Sequence, residues 1–83
     1  MRAKVTVYPR REILDPQGKA IRTALQRVGF AEVGEVRAGK SFEIDLGAIE
    51  PQAAAERVAA MCEQLLANTV VEEYAIEILE TPS

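Results

Sequence analysis

The 83-residue chain predicts a small α+β fold. Four short stretches alternate apolar and polar residues with a period of two, which is typical of half-buried strands. Two other stretches repeat apolar residues at helical spacing. A chain of this length supports only one hydrophobic core, so we treat residues 1–83 as one domain.

The first strand is predicted over residues 2–8. Ala3, Val5 and Val7 alternate there with polar residues, which predicts one buried face. Pro9 follows and cannot donate to a ladder, so we expect the strand to end there. A loop over residues 9–14 then leads into the first helix.

The first helix is predicted over residues 16–28. Asp15 is a natural N-cap, and Pro16 suits the first helical position because its φ is already set. Gly29 suits the C′ position. The apolar residues at helical spacing are Ala20, Ile21, Ala24, Leu25 and Val28. Gly18 in the first turn costs about 1 kcal/mol relative to alanine, so either the backbone needs its conformational freedom or a partner approaches it closely.

Two further strands are predicted over residues 32–38 and 40–46, divided by a turn at Gly39. The apolar phase slips between Val33 and Val36, so a bulge at Gly34 is one interpretation of the earlier strand.

A second helix is predicted over residues 51–67, opened by Pro51, and a last strand over residues 72–80. The apolar stripe of this helix comprises Ala54, Val58, Met61, Cys62, Leu65 and Leu66. The resulting order, βαββαβ, predicts a two-layer, ferredoxin-like split βαβ sandwich. Its four-stranded antiparallel sheet would carry both helices on one face, with the first and third predicted strands in the centre. The other face is of mixed polarity and is open to docking by another protein.

The charge balance disfavours nucleic acid as a partner. The formal net charge is −3, with a pI near 4.9, whereas binding to a phosphate backbone needs a basic face. No apolar run approaches the length of a membrane span, and the N-terminus alternates like a strand and lacks the apolar core of a signal peptide. We therefore expect a cytoplasmic protein with no membrane role.

Catalytic chemistry has little support in the composition. The chain contains no histidine, which removes the commonest general base and histidine-based metal sites. The single cysteine, Cys62, lies on the apolar stripe, so we expect it to be a packing residue of the core. The acidic residues lack metal-binding spacing. We thus assign no catalytic, cofactor-binding or metal-binding residues and expect no enzyme activity from the isolated chain.

Cations near the predicted turns allow two interpretations. Arg10 and Arg11 follow the first strand, and Arg37 and Lys40 flank Gly39. Such a cluster suits an anion such as phosphate or carboxylate. The alternative is a solvated surface that only confers solubility, since no phosphate-binding loop is present.

Several segments in the right order resemble the PurS family, the small subunit of phosphoribosylformylglycinamidine (FGAM) synthase. They are Val5-Thr6-Val7-Tyr8-Pro9-Arg10, Leu14-Asp15-Pro16-Gln17-Gly18, Val28-Gly29-Phe30, Val36-Arg37-Ala38-Gly39-Lys40 and Met61 to Tyr74. The resemblance covers nearly the whole chain. It implies a non-catalytic subunit in the fourth step of de novo purine synthesis, where formylglycinamide ribonucleotide becomes formylglycinamidine ribonucleotide.

The resemblance also implies partners. A glutaminase subunit (PurQ) would release ammonia, and an ATP-dependent synthetase subunit (PurL) would use it, with this chain bridging them as a dimer or tetramer. ATP, Mg²⁺ and glutamine would be used by the whole complex and none of them bound by this chain. The resemblance and the exposed loop chemistry together select eight candidate interface residues: Arg10, Arg11, Asp15, Gln17, Gly18, Arg37, Gly39 and Lys40.

Two alternatives share the predicted topology. An ACT-like regulatory module would bind a small molecule such as an amino acid between subunits. An RNA-binding module would need exposed aromatic residues on the central strands, and Tyr8 and Phe42 supply too few.

Overall fold

The computed structural model describes residues 1–12 and 15–79. Its elements are strand β1 (Arg2–Pro9), helix α1 (Pro16–Arg27), strand β2 (Lys40–Asp45), helix α2 (Pro51–Met61), a π-helical turn (Cys62–Leu66) and strand β3 (Glu72–Leu79). These bounds agree with five of the six predicted elements to within a few residues. The predicted end of the last strand at residue 80 lies outside the described residues.

The three strands form one antiparallel sheet in the order β2-β1-β3. In the centre of the sheet, Val5 faces Phe42 on one side and Ile76 on the other. Ala3, Val5 and Val7 are buried, whereas the residues between them point to the open face. The period-two pattern therefore identified the buried face correctly, and the first strand is central as expected. The predicted third strand, β2, was also expected in the centre but lies at an edge of the sheet in the described chain, because residues 32–38 do not pair with it.

The four-stranded sheet predicted from the sequence is not seen, because residues 32–38 form no strand. Their backbone groups bond elsewhere. The N–H of Val33 donates to the carbonyl of Phe30, and the carbonyl of Val33 accepts from the Gln26 side chain. The N–H of Ala38 donates to Asp15 Oδ2. This segment runs extended beside α1 instead of joining the sheet, and no bulge at Gly34 arises.

Helix α2 covers the buried face of the sheet. Ala54 and Val58 are fully buried, and Cys62 continues the same stripe into the core beneath β1. The free thiol of Cys62 has a raised pKa because burial disfavours the thiolate. The sequence-based assignment of Cys62 to the core is confirmed.

The π-helical turn changes which residues reach the core. The N–H of Ala67 donates to the carbonyl of Cys62, an i to i+5 bond that widens the last turn by one residue. Ala67 is therefore buried, while Leu65 is 83% exposed. The prediction that Leu65 completes the buried stripe is wrong for this reason.

Helix α1 does not pack on the sheet, contrary to the prediction that both helices cover one face. All its residues are exposed except Gly18, which is buried, and Leu25, which is half-buried. Residues 15–38 instead form a projecting unit, here called the α1 arm. The radius of gyration is 16.2 Å, whereas about 12 Å is expected for a compact domain of this length. In the described part of the chain, no helix is long and apolar enough to cross a membrane.

Candidate functional site

A concavity lies where β1 ends and α1 begins, and we call it the basic groove. Its volume is about 510 Å³, within the usual range for binding sites. The groove is lined by Pro9, Arg10, Arg11, Glu12, Asp15, Lys19, Arg22, Glu35, Val36 and Arg37. Cationic side chains outnumber carboxylates in this lining, although the whole chain is acidic.

Arg37 ties the groove to the sheet. Its Nη2 atom donates to the carbonyl of Pro9 at 2.6 Å and to Glu73 Oε1 at 2.7 Å. Its guanidinium also lies over the Tyr8 ring, 5.0 Å from the centroid. The hydrogen bond from Arg37 lowers the pKa of the Glu73 carboxyl. These contacts fix the Arg37 side chain, so it serves as part of the groove's frame.

Arg10 holds the opposite wall. Its Nε and Nη2 atoms donate to the carbonyl of Thr69 at 3.2 and 2.9 Å, and its backbone N–H donates to the carbonyl of Val71. The end of β1 is therefore fastened to the turn that precedes β3. Arg10 and Arg37 both donate hydrogen bonds to backbone carbonyls. These bonds hold the two positive charges at fixed positions in the groove.

Asp15 occupies the N-cap position of α1, as predicted, but its side chain makes no capping hydrogen bond. Its Oδ2 accepts instead from the N–H of Ala38 at 3.1 Å, across the α1 arm. That hydrogen bond is the main reason why the pKa of Asp15 is lowered, and the nearby N–H groups of Gly18 and Gln17 add to the effect. The carboxylate thus fastens the start of the helix to the returning segment.

The two glycines singled out from the sequence are explained by close approaches within the chain. A Cβ on Gly18 would collide with the Val36 carbonyl, which accounts for a glycine in the first turn. A Cβ on Gly39 would lie 2.5 Å from the carbonyl oxygen of Val7 and 2.6 Å from the Tyr8 ring. Gly18 is buried, so its contact is with Val36 of its own chain.

The structure brings half of the eight candidate interface residues together. Arg10, Arg11, Asp15 and Arg37 line the basic groove. Gln17 is exposed in the first turn of α1, and Lys40 begins β2 with its Nζ 4.0 Å from Glu72. These two, together with Gly18 and Gly39, do not line the groove.

Sequence reasoning missed four charged residues of the lining: Glu12, Lys19, Arg22 and Glu35. Lys19 and Arg22 are three residues apart on α1 and so share one helical face, a spacing that is readable from the sequence. Glu35 had no such signal, because it reaches the groove only when residues 33–38 run beside α1; there it pairs with Arg11 at 3.2 Å.

The charged lining of the groove suits the binding of a charged partner. Its polar groups are guanidinium, ammonium and carboxylate, and the one cysteine lies in the core away from it. Within residues 1–12 and 15–79, no cluster of histidine, cysteine, aspartate or glutamate is placed to hold a metal ion. Charge-assisted hydrogen bonds to a partner are the chemistry this site offers.

Comparison with known proteins identifies the family. Residues 2–80 match the family model described as "PurS: Phosphoribosylformylglycinamidine (FGAM) synthase". The PurS subunit from Mycobacterium leprae is 47% identical over 75 residues, covering 90% of this chain and 91% of the relative. The solved structure of Methanocaldococcus jannaschii PurS superposes with a TM-score of 0.88 at 32% identity and covers 98% of each chain.

A chain from the solved structure of PurLQS from Thermotoga maritima is also similar. It gives a TM-score of 0.86 at 35% identity, covering 94% of this chain and 95% of that one. The ACT-like and RNA-binding alternatives are not favoured by these matches. This chain belongs to the PurS family, the small subunit of FGAM synthase.

Proposed function

We propose that the chain is the non-catalytic subunit that bridges a glutaminase and an ATP-dependent synthetase in FGAM synthase. The observation that carries this proposal is the similarity over nearly the whole chain to a subunit of the Thermotoga maritima PurLQS complex. In this role the chain holds the other two subunits together during the fourth step of purine synthesis, in the cytoplasm.

The chain's own chemistry supports a bridging role. It has no histidine, and its only thiol is buried with a raised pKa. ATP, Mg²⁺ and glutamine are then bound by the other subunits, and this chain needs no cofactor. Its contribution is positional, because fixing two active sites in register makes ammonia transfer effectively intramolecular. Such linkage raises the local concentration into the millimolar range or above, and limits escape of ammonia to water.

Self-association is part of the same proposal. The α1 arm leaves Ile21, Val28 and Phe30 exposed, with Val28 71% exposed. Residues 33–38 are extended and make no ladder hydrogen bonds with the sheet. Pairing with a second copy, as a dimer or tetramer, covers the apolar side chains and lets this segment complete the four-stranded sheet that the sequence predicts.

Reconstitution tests the bridging role. The purified chain is mixed with the synthetase and the glutaminase, and turnover is measured with glutamine and, separately, with ammonium salt. We expect the chain to raise glutamine-dependent turnover strongly and ammonium-dependent turnover little, because ammonium bypasses the coupling. Equal glutamine-dependent rates with and without the chain, and no co-migration of the three proteins, contradict the proposal.

A further inference from the structure

The basic groove contains two cations that the described chain leaves without a partner. Lys19 and Arg22 are exposed on one face of α1, and among residues 1–12 and 15–79 neither side chain forms an ion pair or hydrogen bond. Arg11 adds a third cation; the ion pair that it forms within the described residues, with Glu35, is exposed on both sides. Such exposed pairs contribute little and exchange readily for another carboxylate.

The frame around these cations is fixed before anything binds. Arg10 and Arg37 are tied to the carbonyls of Thr69 and Pro9, and Asp15 is tied to the N–H of Ala38. A site whose walls are held in place loses less conformational entropy on binding. Lys19 and Arg22, which have no partner among the described residues, therefore lie in a groove that is already shaped for binding.

The lining favours a polypeptide over a compact phosphate ion. Glu12, Asp15 and Glu35 also face the groove, so a phosphate dianion would sit close to several carboxylates. The Asp15 carboxylate lies at the start of α1, beside the first-turn N–H groups that otherwise attract phosphate to a helix N-terminus. In an extended peptide, the carboxylates are spaced along the chain and can each meet a cation of the groove. The uncharged residues of the peptide can then lie beside the acidic residues of the groove.

We propose that the basic groove receives an acidic segment of a partner subunit, whose carboxylates pair with Lys19 and Arg22. This inference rests on the proposed bridging function and names the partner's chemistry. Because the whole chain carries a net charge of −3, the groove is a local cationic site on an acidic protein. Complementary charges at such a site orient the partner and accelerate its association.

Charge reversal on α1 tests the groove in the full complex. The variant is Lys19→Glu/Arg22→Glu, and its control is Arg27→Glu/Arg57→Glu, which changes the net charge equally at exposed positions outside the groove. Affinity for the synthetase and glutaminase is measured at low and high salt. We expect the groove variant to bind at least about tenfold more weakly at low salt and to lose most of the salt dependence. The control should stay within about twofold of wild type.

The outcomes separate this inference from the bridging function. If wild type assembles and the groove variant binds as tightly as the control, the groove inference is overturned while bridging stands. If wild type itself fails to assemble, both are overturned. Circular dichroism establishes that each variant is folded before its affinity is compared.

A second measurement uses the isolated protein. Backbone amide shifts are followed by NMR during titration with a short polyglutamate peptide and, separately, with inorganic phosphate. We expect salt-sensitive shifts around Lys19 and Arg22 with the peptide and weaker ones with phosphate. Tighter binding of phosphate at the same residues would show that the groove takes a small anion and would overturn the polypeptide inference.

Discussion

The two helices have similar sequence patterns and opposite surroundings. Each begins with a proline in its first turn and carries an apolar stripe. Helix α2 buries Ala54 and Val58 against the sheet, whereas α1 leaves Ile21 and Val28 exposed in the projecting arm. An amphipathic pattern thus shows that one face of a helix is apolar and tends to be buried. It does not show whether that face is buried against the same chain or against another chain.

The difference also concerns what holds each helix in place. Helix α1 has only 12 residues, which is marginal for an isolated helix in water. Within the arm it is held by the close approach of Gly18 to Val36 and by the bond between Asp15 and Ala38. Helix α2 is held by core packing. We therefore expect substitutions in α2 to affect folding and substitutions in α1 to affect the arm and association.

The largest effect is expected from paired aspartate substitutions. Val58→Asp places an unpaired carboxylate in the core at a cost of about 3–5 kcal/mol, and a domain this small should then fail to fold. Ile21 is 38% exposed and lies outside the core, so Ile21→Asp should lower monomer stability by only about 1 kcal/mol. Urea unfolding followed by circular dichroism, at a concentration that keeps the protein monomeric, measures both.

Sedimentation of the same variants sharpens the comparison. Ile21→Asp should shift the protein towards monomer, because it places a charge in the apolar stripe that a second copy covers. Unfolding of Ile21→Asp as complete as that of Val58→Asp would mean that α1 is covered within its own chain. An unchanged sedimentation coefficient would mean that the stripe is not an interface between copies.

Gly18→Ala tests the internal joint of the arm. The added Cβ meets the Val36 carbonyl, so α1 must shift, and overpacking of this kind costs about 1–3 kcal/mol. The matched control is Gly34→Ala, where a Cβ meets nothing within 4 Å. Hydrogen exchange of amides in residues 33–38 should speed up in Gly18→Ala and not in the control. Equal protection of these amides from exchange in both variants would show that the contact between Gly18 and Val36 does not hold the arm together.

Arg37→Ala tests the connection between the arm and the sheet. The variant loses the hydrogen bonds to Pro9 and Glu73 and the contact with the Tyr8 ring. We expect a loss of about 1–2 kcal/mol in the free energy of unfolding. Arg2→Ala is the control, because Arg2 is exposed. A loss for Arg37→Ala no greater than for Arg2→Ala would show that the frame of the groove does not depend on this side chain.

Sequence patterns predicted the sheet and helix α2 well, because the apolar faces of these elements are buried against other elements of the same chain. Alternation in β1 and helical spacing in α2 both reflect burial against neighbouring elements of the same domain. The same reasoning failed for residues 32–38, whose alternation was read as a strand although its backbone groups bond to α1. It also failed for Leu65, because no spacing rule signals a π-helical turn.

The candidate site was only partly accessible from sequence. Arg10, Arg11 and Arg37 were singled out because cations near turns suit anions, and the structure places all three in the basic groove. Lys19 and Arg22 were not selected, because the sequence does not show that this face of α1 lies beside the end of β1. Once the helix projects, its cationic face becomes a wall of the groove, which only the tertiary arrangement reveals.

The smallest expected effect is the pH response of Asp15, which reports on the arm alone. The hydrogen bond from Ala38 lowers the pKa of Asp15 in the folded chain below its unfolded value. Its stabilising contribution is therefore complete above the unfolded pKa and is lost as the pH falls through the folded pKa. The amide shift of Ala38, followed by NMR on lowering the pH, should titrate with a midpoint below the ordinary aspartate value. In Asp15→Asn this titration should be absent, although the amide oxygen still accepts the hydrogen bond. A midpoint at or above the ordinary value would mean that the start of α1 is not held to the returning segment in solution, and the arm would then be shaped by its partner rather than by its own contacts.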